Sequence, residues 1–144
     1  MGRSDRHRGF SRRQNLTGYL IDTNTALIGL ANPSRLSRAA LAAIKAGPNI
    51  LSSVTFWEVM LKCMKGKLDV GDPHGWWRDA LDQLSAVALP MKPDHVAQVY
   101  RLPAIHSDPF DRILIAQAGT ESLTLVTTNR AMRSYANSGI RIIC

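Results

Sequence analysis

Cysteine is nearly missing from this chain of 144 residues: Cys63 in mid-sequence and Cys144 at the last position are the two it has. Two so placed build no disulfide framework, and a reducing cytoplasm is the expected compartment. Long apolar runs are missing as well. No stretch nears the ~18–20 consecutive apolar residues of a membrane span, so no membrane partner is expected. The arginine-rich N-terminus has no apolar core of the signal-peptide kind, so secretion is not expected either. Glutamate is scarce, with Glu58 and Glu121 alone, and the eleven acids together are outnumbered by eighteen Lys and Arg. There is no internal repeat and no low-complexity tract.

What is present suits a single soluble globular domain: 45% hydrophobic residues, 20% charged, and a mean hydropathy of −0.09. The formal net charge is +7 and the isoelectric point is near 10.0. Such a surface favours polyanions, through phosphate neutralisation and counterion release. The charge is uneven. Arg3, Arg6, Arg8, Arg12 and Arg13 face a single acid, Asp5, within residues 1–18, leaving thirteen bases against ten acids downstream. Residues 1–18 therefore read as a basic, disordered extension and 19–144 as the domain.

From Tyr19 onward short apolar runs alternate with helical patterns, which predicts an α/β fold with a parallel sheet. Strands are expected at Tyr19–Ile21, Ile50–Ser52, Val87–Leu89, Leu123–Thr127 and Ile140–Ile143. Between them, helices are expected over Ala26–Leu30, Arg38–Ala46, Val54–Lys65, from Asp72-Pro73, over Asp94–Leu102, and from Asp108-Pro109 to Gly119. Sheets of this kind bind ligands beyond the carboxyl ends of their strands.

The few acids fall where such a ligand would sit. Asp22 follows the first strand directly, as a site residue or as the cap of the next helix. Glu58 lies four residues after Val54 and three before Leu61, on an apolar helix stripe. A carboxylate there is costly unless paired or bound to a metal; the competing reading is a reduced capping box begun at Thr55. Asp111 shares an inward stripe with Leu114, Ile115 and Ala118, while Asp108 fits a helix cap before Pro109. Asn129, after Thr127 and Thr128, is either a helix cap or a group holding a water or metal. Three carboxylates from separate elements repel one another, and a divalent cation relieves that. Oxygen-only ligands suit Mg²⁺ or Mn²⁺, and no Cys or His pair stands at zinc spacing. An acidic metal pocket in a basic protein reads as a nuclease, with Lys62, Lys65 and Arg112 as candidate RNA-binding residues.

The motifs Leu20-Ile21-Asp22-Thr23-Asn24, Ser53-x-x-x-Trp57-Glu58-x-x-x-Lys62, His106-x-Asp108-Pro109-Phe110-Asp111-Arg112 and Val126-Thr127-Thr128-Asn129 occur in this order. In that order they resemble the PIN-domain family, specifically its VapC-type toxin branch, from about Leu20 to Ile143. The resemblance implies a three-layer α/β/α fold around a central parallel sheet of about four to five strands. It also implies a Mg²⁺- or Mn²⁺-dependent ribonuclease acting on tRNA, rRNA or mRNA, a small VapB-type antitoxin partner, and a homodimer. The family's acidic positions fall on Asp22, Glu58 and Asp111 as metal ligands, with Asp108 a further candidate. Its usual fourth acid is Asn129 here, an amide that ligates only through its carbonyl oxygen. That substitution motivates a second reading, a module that binds RNA or antitoxin without cutting. A third reading is a haloacid-dehalogenase-like phosphohydrolase with Asp22 as nucleophile. It leaves Glu58 without a role.

Overall fold

The computed structural model describes residues 18–144. The basic extension assigned to 1–18 thus lies, except for Gly18, outside the described residues. Strand β1 (Tyr19–Ile21) passes directly into helix α1 (Thr23–Ala31), and a 3₁₀ turn at Pro33–Arg35 leads to α2 (Arg38–Ala46). Then come β2 (Asn49–Ser52), α3 (Ser53–Met64), α4 (Pro73–Gln83), β3 (Ala86–Leu89), α5 (Pro93–Arg101) and α6 (Pro109–Thr120). Strand β4 (Thr124–Val126), a 3₁₀ helix at Arg130–Ser138 and β5 (Ile142–Ile143) complete the chain.

Helix starts follow cap chemistry. Ser37 accepts the Ala40 N–H at 3.0 Å, Ser52 the Val54 N–H at 3.0 Å, and Asp108 the Phe110 N–H at 2.8 Å. Each oxygen satisfies a donor that the helix leaves orphaned, and prolines stand at the first turns of α4, α5 and α6. Helix α5 opens one residue earlier than expected, at Pro93, and two further starts differ because of a cap. Asp22 caps α1, accepting the Thr25 N–H at 2.9 Å, so the helix opens at Thr23 rather than Ala26. Ser52 caps α3 and moves its start to Ser53, which removes the capping box at Thr55 and Glu58.

The five strands form one sheet, every pair parallel, in the order β3-β2-β1-β4-β5. Tyr19, Leu20 and Ile21 pair with Thr124, Leu125 and Val126 on one side; Tyr19 and Leu20 pair with Asn49 and Ile50 on the other. Side-chain alternation then divides the core. Leu20, Ile50 and Leu125 join Leu114, Met132 and Tyr135 on one face. Ile21 and Leu51 meet Ala26, Ala80 and Leu84 from α1 and α4 on the other, and Val126 packs beside them on Leu36, Ala40 and Ala43 of the α2 region. The result is the expected three-layer α/β/α arrangement, each fully buried Leu or Ile contributing about 1.5–3 kcal/mol. The chain builds β2 and β3 on one side of β1, then crosses to place β4 and β5 on the other. This reversal at β1 opens a crevice at its carboxyl end, and Asp22 is the first residue there. Among the described residues no helix is long and apolar enough to cross a membrane.

Candidate active site

Asp22 is 4% exposed, and its position is fixed from both ends. Its backbone N–H donates to Val126 O at 3.0 Å, and its carboxylate takes the Thr25 N–H and a hydrogen bond from Thr127. Thr127 is fully buried at the end of β4, and its hydroxyl oxygen also accepts the Asn129 N–H at 3.0 Å. Burial is the main cause that raises the Asp22 pKa above 3.8; the Thr127 and Thr25 hydrogen bonds act against it, and the Glu58 charge adds to it.

Glu58 comes from the second turn of α3, which follows β2 without a linking residue. A hydroxyl pair, Thr23 to Thr55 at 2.9 Å, ties that helix to the start of α1. One oxygen of Glu58, Oε2, lies 3.2 Å from the Lys62 ammonium one turn on. The other, Oε1, is buried without a hydrogen-bond partner. An orphaned carboxylate oxygen is expensive, so a ligand that accepts its lone pairs is the natural complement.

Asp111 stands in the first turn of α6, less than a quarter exposed. Its Oδ2 lies 2.7 Å from His106 Nε2. Partial burial is the first cause raising its pKa above 3.8; the charges of Asp108 and Asp22 add to this, and the His106 hydrogen bond opposes it. Asp22 therefore feels Glu58, and Asp111 feels Asp22. Three carboxylates from α3, α6 and the end of β1 share one electrostatic neighbourhood.

The other expected residues have local roles. Asp108 caps α6 through Oδ1, and Asn129 caps the following 3₁₀ helix by accepting the Ala131 N–H at 3.0 Å. A cleft of about 190 Å³ is lined by Glu58, Lys62, Lys65, Lys67, Asp108 and Phe110, placing the lysines on its wall. Arg112 does not line that cleft. Its guanidinium is engaged by the carbonyls of Val99 (2.9 Å), Pro103 (3.0 Å), His106 (3.3 Å) and Leu102 (3.5 Å), so its donors serve the fold. A larger cavity of about 560 Å³, between α1 and α4, is lined by Leu27, Leu30 and Trp76 together with Asp69, Asp72 and Asp79, and includes none of Asp22, Glu58 and Asp111. Trp76 and Trp77 pack on the α1–α4 core, and Trp77 stacks on Phe56 at 5.2 Å. These tryptophans are packing residues.

The donor set is all oxygen and negatively charged, which fits a hard divalent cation in kind, and the orphaned Glu58 Oε1 points to the same fit. The residues are not closed around an ion: among the described residues no group of three or more His, Cys, Asp or Glu is arranged to hold one.

The PIN domain profile matches residues 19–138. The chain belongs to the PIN domain family. Among curated proteins, this PIN domain is similar to Ribonuclease VapC22 of Mycobacterium tuberculosis, with 27% identity over 123 residues, 83% of this chain and 93% of that protein. A toxin–antitoxin complex from Klebsiella pneumoniae matches at 26% identity and a TM-score of 0.56, over 88% of this chain and 97% of that one. DNA-bound VapBC from Salmonella typhimurium has the same fold at 20% identity and a TM-score of 0.63, covering 88% and 97%.

Proposed function

We propose that this PIN domain is a metal-dependent endoribonuclease, the toxin of a toxin–antitoxin pair, in which Asp22, Glu58 and Asp111 hold Mg²⁺ or Mn²⁺. The observation that carries this reading is the meeting of three acids from separate elements at the switch point of the sheet, one with a buried oxygen left unpaired. The chemistry such an ion supplies is a water of lowered pKa and neutralisation of charge on the phosphoryl group. The chain's own contribution is orientation. Thr25 and Thr127 hold Asp22, Lys62 holds one oxygen of Glu58, and His106 holds one oxygen of Asp111. Lys62, Lys65 and Lys67 would receive RNA phosphates along the cleft wall.

The relatives' names support a small cognate antitoxin as partner. A second copy of the chain is the proposed occupant of an apolar face. There Trp57, Met91 and Val96 are about half exposed beside a cavity of about 480 Å³, lined also by Leu61, Val99 and Phe110. Trp57 lines this hollow and packs edge-on against Phe110 at 5.0 Å, and a single apolar patch of this kind can pair with itself across a two-fold axis.

Asn129 favours a second reading, a PIN domain that binds RNA or antitoxin without cutting, because its amide already caps a helix and contributes no charge. The deciding test incubates purified protein with tRNA and rRNA in Mg²⁺, Mn²⁺ or EDTA, with Asp22→Asn alongside. Metal-dependent cutting that the variant loses supports the nuclease. RNA binding with no cutting in either metal supports the second reading.

A further inference from the structure

The segment between α5 and α6 is irregular and largely exposed, with Pro103, Ala104, Ile105 and Ser107 all open to solvent. It is nevertheless gripped from two directions. Arg112 binds four carbonyls along 99–106 and makes no ion pair with a described acid, so both its terminal nitrogens serve this backbone. Tyr135, from the 3₁₀ helix after β4, is fully buried and brings its hydroxyl to the same segment. That hydroxyl accepts the His106 N–H at 3.0 Å, donates to Pro103 O at 3.4 Å, and lies 3.5 Å from Arg112. The side chain of 103–107 that hydrogen-bonds a site carboxylate is His106, on Asp111 Oδ2.

We propose that Tyr135 and Arg112 are positioning residues for the carboxylate site, acting through the His106 imidazole on Asp111. This rests on the nuclease reading. Asp111 can rotate about its own side chain, and an imidazole fixed at the backbone defines which oxygen stays occupied and which is left for a ligand. The clamp joins α6, the end of α5 and the 3₁₀ helix behind β4. A loosening at Tyr135 thus reaches Asp111 without Tyr135 touching substrate or ion. A misplacement of about 1 Å at such a site is worth up to about a hundredfold in rate.

The test compares Tyr135→Phe, His106→Ala, His106→Gln and the double variant Tyr135→Phe/His106→Ala with wild type. The readouts are RNA cleavage, Mn²⁺ binding by calorimetry, and the His106 imidazole NMR signals without metal. Tyr135→Phe keeps the ring and is expected to stay folded by circular dichroism. It should lower kcat about tenfold at unchanged KM, weaken Mn²⁺ binding, and shift or broaden the His106 signals. His106→Gln, which retains an N–H donor, should recover part of what His106→Ala loses. Because Tyr135 acts through His106, the double variant should be no worse than His106→Ala alone. Losses that multiply in the double variant overturn the proposal, as does a Tyr135→Phe with wild-type kcat and Mn²⁺ affinity. If wild type neither cuts RNA nor binds Mn²⁺, the nuclease reading fails by itself. The clamp is then judged on the metal-free His106 signals, and an unmoved spectrum in both Tyr135→Phe and Arg112→Lys overturns it.

Discussion

Asp22 and Asp111 are held against their own solvation, and that has a sign. Burial raises both pKa values above 3.8, so between that value and the folded-state pKa the native protein binds more protons than the unfolded chain. Stability from these two groups is therefore lost as pH rises through that window and regained on acidification. In EDTA at neutral pH, Asp22→Asn and Asp111→Asn should each melt a few degrees above wild type, the gap closing as pH falls towards 3.8. Asn keeps the cap on α1, so the comparison at position 22 isolates charge. Both variants should lose RNA cleavage, and wild-type rates in either would remove that residue from the mechanism. Lys65→Ala or Lys67→Ala should raise KM for RNA with kcat unchanged and reduce the log–log salt slope by about 0.7 each, checked by binding titrations at several salt concentrations. That the three acids are withdrawn from solvent was readable because a carboxylate on an apolar stripe, or straight after a strand, violates the local pattern. The contact of His106 with Asp111 was not readable, although His106 opens the motif: the two lie five residues apart, across a bend that Tyr135 holds from a distant element. The carbonyl partners of Arg112 were equally hidden, since a cation beside a site acid invites a phosphate until its donors are traced.

Among elements, α5 and α6 are joined by a buried polar clip. The Lys92 N–H donates to His95 Nδ1 at 3.0 Å, so the imidazole proton sits on Nε2 and is given to Glu121 Oε2 at 2.8 Å, with Gln117 alongside at 3.2 Å. His95→Ala removes the acceptor of the Lys92 N–H and the imidazole from Glu121, and should cost about 1–3 kcal/mol in urea unfolding without changing KM for RNA. Asp108→Ala removes the α6 cap and should cost about 1 kcal/mol in the same assay. Asn129→Asp keeps its cap while adding a charge, and should tighten Mn²⁺ binding in calorimetry; unchanged affinity would show that position 129 is no ligand. Elements were legible wherever a proline or small polar residue marked a start, as at Ser37, Asp72 and Asp108. The α1 and α3 starts lie three residues and one residue before their expected positions because Asp22 and Ser52 each follow or close a strand and also cap a helix, a role the sequence leaves open for Asp22.

At the scale of the whole molecule, strand count, parallel direction and helix alternation were legible, whereas the order β3-β2-β1-β4-β5 was not. Which strands become neighbours depends on packing among residues far apart in sequence. The apolar face around Trp57 belongs to this scale too. Trp57→Glu should turn a dimer into a monomer in sedimentation without unfolding it, and an unchanged species would place the second copy elsewhere. The sheet order also governs when the molecule can act. Tyr19 to Ile21 find one of their two neighbours in Thr124 to Val126, and Asp22 draws on Val126 and Thr127. A nascent chain emerging from a ribosome carries Asp22 and Glu58 early but lacks the wall that seats them. The surroundings of Asp22 are therefore complete only after residue 127 has been synthesised, and under the proposed nuclease reading a shorter nascent chain lacks the seated carboxylate.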